Sequence, residues 1–207
     1  MQAEQAIVWL GESSEDNDLA MDLIRRWSPP LPPHISRSGG QGVAEVLKLV
    51  RDPFEVRAWE ALRSLFRRPY WERSWILQEI ILSKPATLFC GIEIVSWQAF
   101  DDAQLVWVQL SDPENFHLLD FGALRLVTLS NYNIISKISF QRLNRKIHAP
   151  LPSALQFIEY TQNSKATDPR DKIHAFLGLE EIAILGLEPD YEKPVERVYG
   201  EFVQAYV

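Results

Sequence analysis

The tract Arg67-Arg68-Pro69-Tyr70-Trp71-Glu72-Arg73-Ser74-Trp75 sets cations among aromatic rings. That combination grips a planar anionic ligand by cation–π and stacking contacts, and it equally packs a core. Trp71, Trp75 and Glu79 stand at i, i+4 and i+8, so a single helix places two indoles and a carboxylate along one side. Ile80-Ile81-Leu82 follow directly. Partial desolvation by those neighbours would suit the Glu79 carboxylate to acid–base work or to stabilising an oxocarbenium ion. Most helix glutamates are instead solvated or ion-paired, so spacing alone leaves both readings open.

Little else in the chain carries chemistry. There is no glycine-rich phosphate loop, no His-Glu-x-x-His, no Cys-x-x-Cys and no Gly-x-Ser-x-Gly. Asp120-Phe121-Gly122 spells the magnesium-binding triplet of protein kinases, but the lysine strand and catalytic loop that give the triplet meaning are missing. His34, His117, His148 and His174 show no ligand spacing, and Cys90 is the single cysteine, so no metal and no disulfide are expected. Thr167-Asp168-Pro169-Arg170-Asp171 reads as a capped helix start, with two aspartates competing with any anion for the helix terminus.

These residues must be positioned by a modest set of elements. Ala6–Leu10, closed by Gly11, reads as a buried strand. Because it begins almost at the first residue, either later strands cover it or preceding sequence is absent from this chain; the second is the expectation. Ser14 is placed to cap a helix ending at Trp27, and residues 28–42 are a Pro/Gly/Ser-rich surface loop. Helical spacing covers 43–50 and 54–66, and Pro69 opens a helix expected to run unbroken from Tyr70 to Leu82. Ala86–Cys90 and Ile92–Val95 form a strand that continues or turns at Gly91, and Ser96 caps a helix from Trp97 to about Leu110. Residues 114–147 are helical at first and then undecided, since the residues around Asn131-Tyr132-Asn133 weaken the pattern. Further helices are expected over 152–160, 169–177 and from Pro194 onward.

With 207 residues the chain is expected to form a single domain. Its composition, 46% apolar and 24% charged, is that of a globular protein and excludes disordered, collagenous and disulfide-rich classes. The formal charge of −7 provides no overall basic field for nucleic acid. No secretory leader and no apolar run of membrane-spanning length is seen, and one cysteine fits a reducing compartment, so a cytoplasmic location is expected.

Several blocks, in order, resemble the fungal heterokaryon-incompatibility (HET) domain: Ile7-Val8-Trp9-Leu10-Gly11-Glu12, residues 68–79 from Arg68-Pro69-Tyr70-Trp71 to Gln78-Glu79, and residues 166–179 around Asp168-Pro169-Arg170-Asp171. Pro189-Asp190-Tyr191 with Val198-Tyr199 is similar to a later block of that family. The family's opening strands, of Ser-Tyr-x-Trp-Gly and Asp-Ala-x-Cys-Ile-Asn-Gln type, have no counterpart, so the chain resembles a single HET-type domain fragment over residues 1–207 that lacks its first part. The resemblance implies an α/β fold with an incomplete TIR-like (flavodoxin-like) sheet of few strands and a predominantly helical remainder.

Some TIR enzymes cleave NAD with a glutamate in a Ser-x-Trp-Cys-x-x-Glu setting, which Ser74-Trp75-Ile76-Leu77-Gln78-Glu79 resembles without the cysteine. The likeness makes Glu79 the catalytic candidate and Trp71, Ser74 and Trp75 the candidates for holding the nucleotide, with NAD as substrate, no permanently bound cofactor and no metal. It further implies a role in non-self recognition and regulated cell death, through self-association or other incompatibility and signalling proteins, without nucleic acid or membrane. The alternatives are a non-enzymatic self-associating module and an inactive truncated remnant.

Overall fold

The computed structural model describes residues 5–14, 16–28, 53–110, 132–147 and 153–206. The loop expected over 28–42 beyond its first residue, the helix over 43–50, the Asp120-Phe121-Gly122 triplet, and His34, His117 and His148 lie outside the described residues.

The chain divides into two units, each assembled from separated stretches. One unit comprises residues 7–68 and 85–132. It holds a three-stranded sheet of β1 (Ala6–Trp9), β2 (Ala86–Cys90) and β3 (Glu93–Ser96), in that order. β2 and β3 pair antiparallel, with Leu88 opposite Val95 and Phe89 opposite Ile94. The sheet is mixed, so β1 runs parallel to β2. Leu10 N donates to Phe89 O at 2.8 Å and Gly91 N to Gly11 O at 2.9 Å beyond the end of β1. The first strand therefore pairs with a strand from later in the chain and forms one edge of this sheet.

Alternation along these strands sends Val8, Leu88, Cys90 and Val95 into the core and leaves Ile7, Trp9 and Ile94 exposed. The chain turns, rather than continues, at Gly91. With Cys90 paired to Glu93, Gly91 and Ile92 form a two-residue loop, and the Gly91 φ of 56° is the left-handed conformation that a primed hairpin turn demands. A side chain there would also strike Ser13, whose Oγ lies 1.8 Å from the position a Cβ would occupy.

Helices α1 (Asn17–Trp27), α2 (Pro53–Phe66) and α4 (Trp97–Leu110) complete this unit. Trp27 meets Trp59 edge-on at 4.9 Å, and Phe66 stacks on Phe100 at 5.6 Å, with Trp97 at 5.3 Å from the same ring. Pro53 starts α2 as read from the sequence, and Ser96 Oγ accepts from Ala99 N at 3.1 Å at the head of α4. Ser14 is not the cap of α1: the helix begins at Asn17, and the Ser14 hydroxyl accepts from Arg68 instead.

The other unit comprises residues 1–6, 69–84 and 133–207. It holds α3 (Ile76–Leu82), α5 (Tyr132–Lys146, from residue 133), α6 (Ala154–Thr161), two short helices α7 (Asp171–His174) and α8 (Glu180–Ala183), and α9 (Val195–Tyr206). Phe157, Phe176 and Phe202 form its aromatic centre, with centroids 6.1 and 5.7 Å apart in sequence. The helix expected over 169–177 is shortened to four residues, because the chain continues through Leu177 in turns bonded three residues back.

Helix α5 covers the segment left undecided by its sequence. Ile135 and Ile138 face inward, but so do Gln141, Arg142 and Asn144, while Phe140 and Leu143 face out. A helix that buries polar groups and exposes apolar ones has no clean apolar stripe to read.

Candidate functional site

The helix expected from Tyr70 to Leu82 is interrupted. Pro69–Glu72 forms one tight 3-10 turn, Arg73 forms a parallel bridge with Lys165, and the α-helix begins only at Ile76. Lys165 causes the break. Its N–H donates to Glu72 O, its carbonyl accepts from Ser74 N at 3.2 Å, and its ammonium sits 2.6 Å from the Glu72 carboxylate. Backbone groups that would have continued a helix are thus committed to another segment.

The interruption separates the site candidates. Trp71 is 1% exposed, with its ring edge-on to Tyr70 at 5.5 Å. Ser74 is equally enclosed, and its hydroxyl donates to Lys165 O at 3.4 Å. Trp75 is half-buried and Glu79 is exposed, joined by the helical bond from Glu79 N to Trp75 O at 3.1 Å. So Trp75 and Glu79 share a helix and a surface, whereas Trp71 and Ser74 are enclosed.

The Glu79 carboxylate is 43% exposed, and Ile80 and Ile81 turn into the core while Glu79 turns out. Its partner is Arg73, with Nη2 3.7 Å from Oε1. The Arg73 guanidinium also lies 5.5 Å from the centre of the Tyr70 ring. Burial raises the Tyr70 phenol well above its ordinary value, the negative charge of Glu79 adds to this, and Arg73 opposes it. The geometric cluster is therefore Tyr70, Arg73, Trp75 and Glu79. Tyr70 and Arg73 belong to the cation–aromatic tract recognised in the sequence, but only the fold singles them out.

The blocks that carried the resemblance meet within their units. Gln78 Oε1 accepts from Gly178 N at 3.0 Å, and a Cβ on Gly178 would lie 2.8 Å from the same amide group. Arg170 holds the Asp168 carboxylate through Nε at 2.9 Å and Nη2 at 2.6 Å, and its Nη1 donates to the carbonyls of Tyr191 and Lys193 at 2.6 and 2.7 Å. That guanidinium holds the Asp168 carboxyl down at about 2. The Tyr191 hydroxyl donates to Asp171 at 2.5 Å, which, with burial, pushes the phenol up to about 12. Both aspartates are thus occupied by their own chain, in line with the structural reading of that helix start. In the other unit, Arg68 Nη2 donates to Glu12 O, Ser14 Oγ and Asn17 Oδ1 at 3.1 to 3.3 Å, pinning the connection between β1 and α1.

Among the described residues no group of three or more His, Cys, Asp or Glu side chains is placed to hold a metal ion. No helix among them is long and apolar enough to cross a membrane. Cys90 is buried and free, and burial pushes its thiol up.

Residues 1–79 match the family described as Heterokaryon incompatibility protein (HET). Over that stretch the chain is similar to this family. The match takes in β1, α1, α2, the Pro69 turn and the first half of α3, and it ends on Glu79. The HET-like blocks at 166–179 and 189–199 lie beyond it, although the fold joins them to Gln78 and to each other. The chain matches no curated protein and no solved structure.

Proposed function

We propose that this chain acts in fungal heterokaryon incompatibility as a HET-type module that triggers regulated cell death, and that Glu79 cleaves NAD. The observation that carries the reading is the HET match reaching to Glu79, a solvent-accessible carboxylate on α3 beside Trp75. The NAD chemistry is supported by the TIR-like setting of Ser74-Trp75-Ile76-Leu77-Gln78-Glu79. In this mechanism the bond between nicotinamide nitrogen and ribose C1′ breaks, and the bond's electron pair leaves with nicotinamide. The Glu79 carboxylate stabilises the positive charge developing on the ribose. Water adds at C1′ and releases a proton. Trp75 offers a half-buried indole on whose open part a ring can stack. Arg73 would have to release Glu79 as substrate enters, and its charge then faces the diphosphate.

The Arg73–Glu79 ion pair also favours a second reading, in which Glu79 is a surface ion-pair partner and the module works by self-association alone. Nicotinamide release from NAD by the purified chain, alongside Glu79→Gln, separates the two. Release by the parent that falls at least about a hundredfold in Glu79→Gln is the expected result. Equal release by both proteins would remove Glu79 as the catalytic group, and none from either at concentrations that favour self-association would remove catalysis.

A further inference from the structure

A cleft of about 350 Å³ opens where α3 ends, lined by residues 81–84 and by Arg142, Arg145 and Lys146 of α5. Among the described residues four cations line it, Lys84 included, and no carboxylate does. In a chain of net charge −7 this is a local reversal of sign, with the cations gathered in a concave site that concentrates their field.

One further observation favours an anion. The end of a helix normally repels anions through its exposed carbonyls, but here the Arg142 guanidinium covers them. It donates through Nη1 to Ile80 O and, at 2.9 Å, to Ser83 O, and through Nη2 to Lys84 O at 2.8 Å. Arg145, on the same wall, gives Nη2 to Glu180 at 3.1 Å. Ile81 and Leu82 add an apolar wall. The volume is that of a small-molecule site, about 300 to 1,000 Å³, rather than of an extended macromolecular contact.

We propose that this cleft binds a small phosphate-bearing molecule of nucleotide size, with its phosphates on Lys84, Arg145 and Lys146 and its ring against Ile81 and Leu82. Glu79 does not line the cleft, so this binding is independent of NAD cleavage.

Calorimetric titration of the whole chain with inorganic pyrophosphate and with ADP tests the proposal. Both are expected to bind, ADP more tightly. Lys84→Gln with Lys146→Gln is expected to weaken both by about tenfold, since two exposed charges at about 0.7 kcal/mol each make that factor. Glu180→Gln is expected to tighten both by about threefold by releasing Arg145. Glu79→Gln is expected to change neither. All these substitutions are at the surface, and unchanged thermal midpoints confirm that the variants fold. Pyrophosphate binding that is absent at millimolar concentration, or unaffected by the double substitution, overturns the proposal. Equal binding of ADP and pyrophosphate overturns the nucleotide part. Tighter binding of an oligoglutamate peptide than of either overturns the small-molecule assignment.

Discussion

His174 is the residue whose titration the fold alters most usefully. It is 1% exposed, its ring stands edge-on to Tyr191 at 5.0 Å, and its Nδ1 has no hydrogen-bond partner. Burial holds the imidazole below its ordinary 6.5. Arg170 acts in the same direction, and the charges of Asp171, Asp168 and Asp190 oppose it. A cavity of about 10 Å³ beside the ring, room for one water, is also lined by Glu188, Lys193 and Glu201. The unfolded chain takes up the proton first as pH falls, so the contribution is fully present above about 6.5 and is lost as pH drops through the lower folded value. The urea midpoint is expected to fall between pH 7.5 and 5.5 in the parent and to flatten in His174→Gln. Asp168 does not confuse this measurement, because its folded value of about 2 places its own loss in strong acid. An unchanged slope in His174→Gln would assign the pH dependence elsewhere.

Among the elements, α3 depends most on a distant side chain. Its seven residues are too few to be stable alone, and its final carbonyls are satisfied by Arg142, about 60 positions away in sequence. Ser83 Oγ joins the arrangement, accepting from Arg142 at 3.0 Å and donating to Ile80 O at 2.9 Å. Arg142→Met removes these bonds and leaves buried oxygens without donors, so a loss of about 3 kcal/mol is expected in urea denaturation at pH 7. Arg142→Lys should recover only part of it, because an ammonium lacks the planar fork that reaches Ser83 and Lys84 together. A loss below about 1 kcal/mol would mean that water replaces the guanidinium. The same element shows why Trp71 was misleading at helical spacing. Periodicity assumes an unbroken helix, and Lys165 breaks this one at Arg73.

Taken whole, the chain interleaves its two units, so neither is continuous in sequence. The HET match ends at residue 79, inside α3, and does not coincide with either unit. A fragment of residues 1–84 would hold β1 without β2, and α3 without Arg142. It is expected to show no cooperative urea transition under conditions where the full chain unfolds sigmoidally by circular dichroism. A cooperative transition in the fragment would show that the HET-matched stretch folds by itself.

Local chemistry sufficed for much of this protein. The few strands, the helical remainder, the turn residue Gly91, the Ser96 cap, the Pro53 start and the HET-like blocks within residues 1–79 all follow from propensity, spacing and motif. Each depends on neighbours within a few residues, which a sequence displays directly. The tertiary structure alone decided which blocks meet, that Trp71 and Ser74 are enclosed while Trp75 and Glu79 reach the surface, and that α5 turns Gln141, Arg142 and Asn144 inward. Those outcomes rest on partners 60 to 100 residues apart: Lys165 against Glu72 and Ser74, Gly178 against Gln78, and Arg142 against the end of α3. Closing such long loops leaves no periodic trace in the sequence, because the groups that meet are single backbone amides and carbonyls that every residue carries.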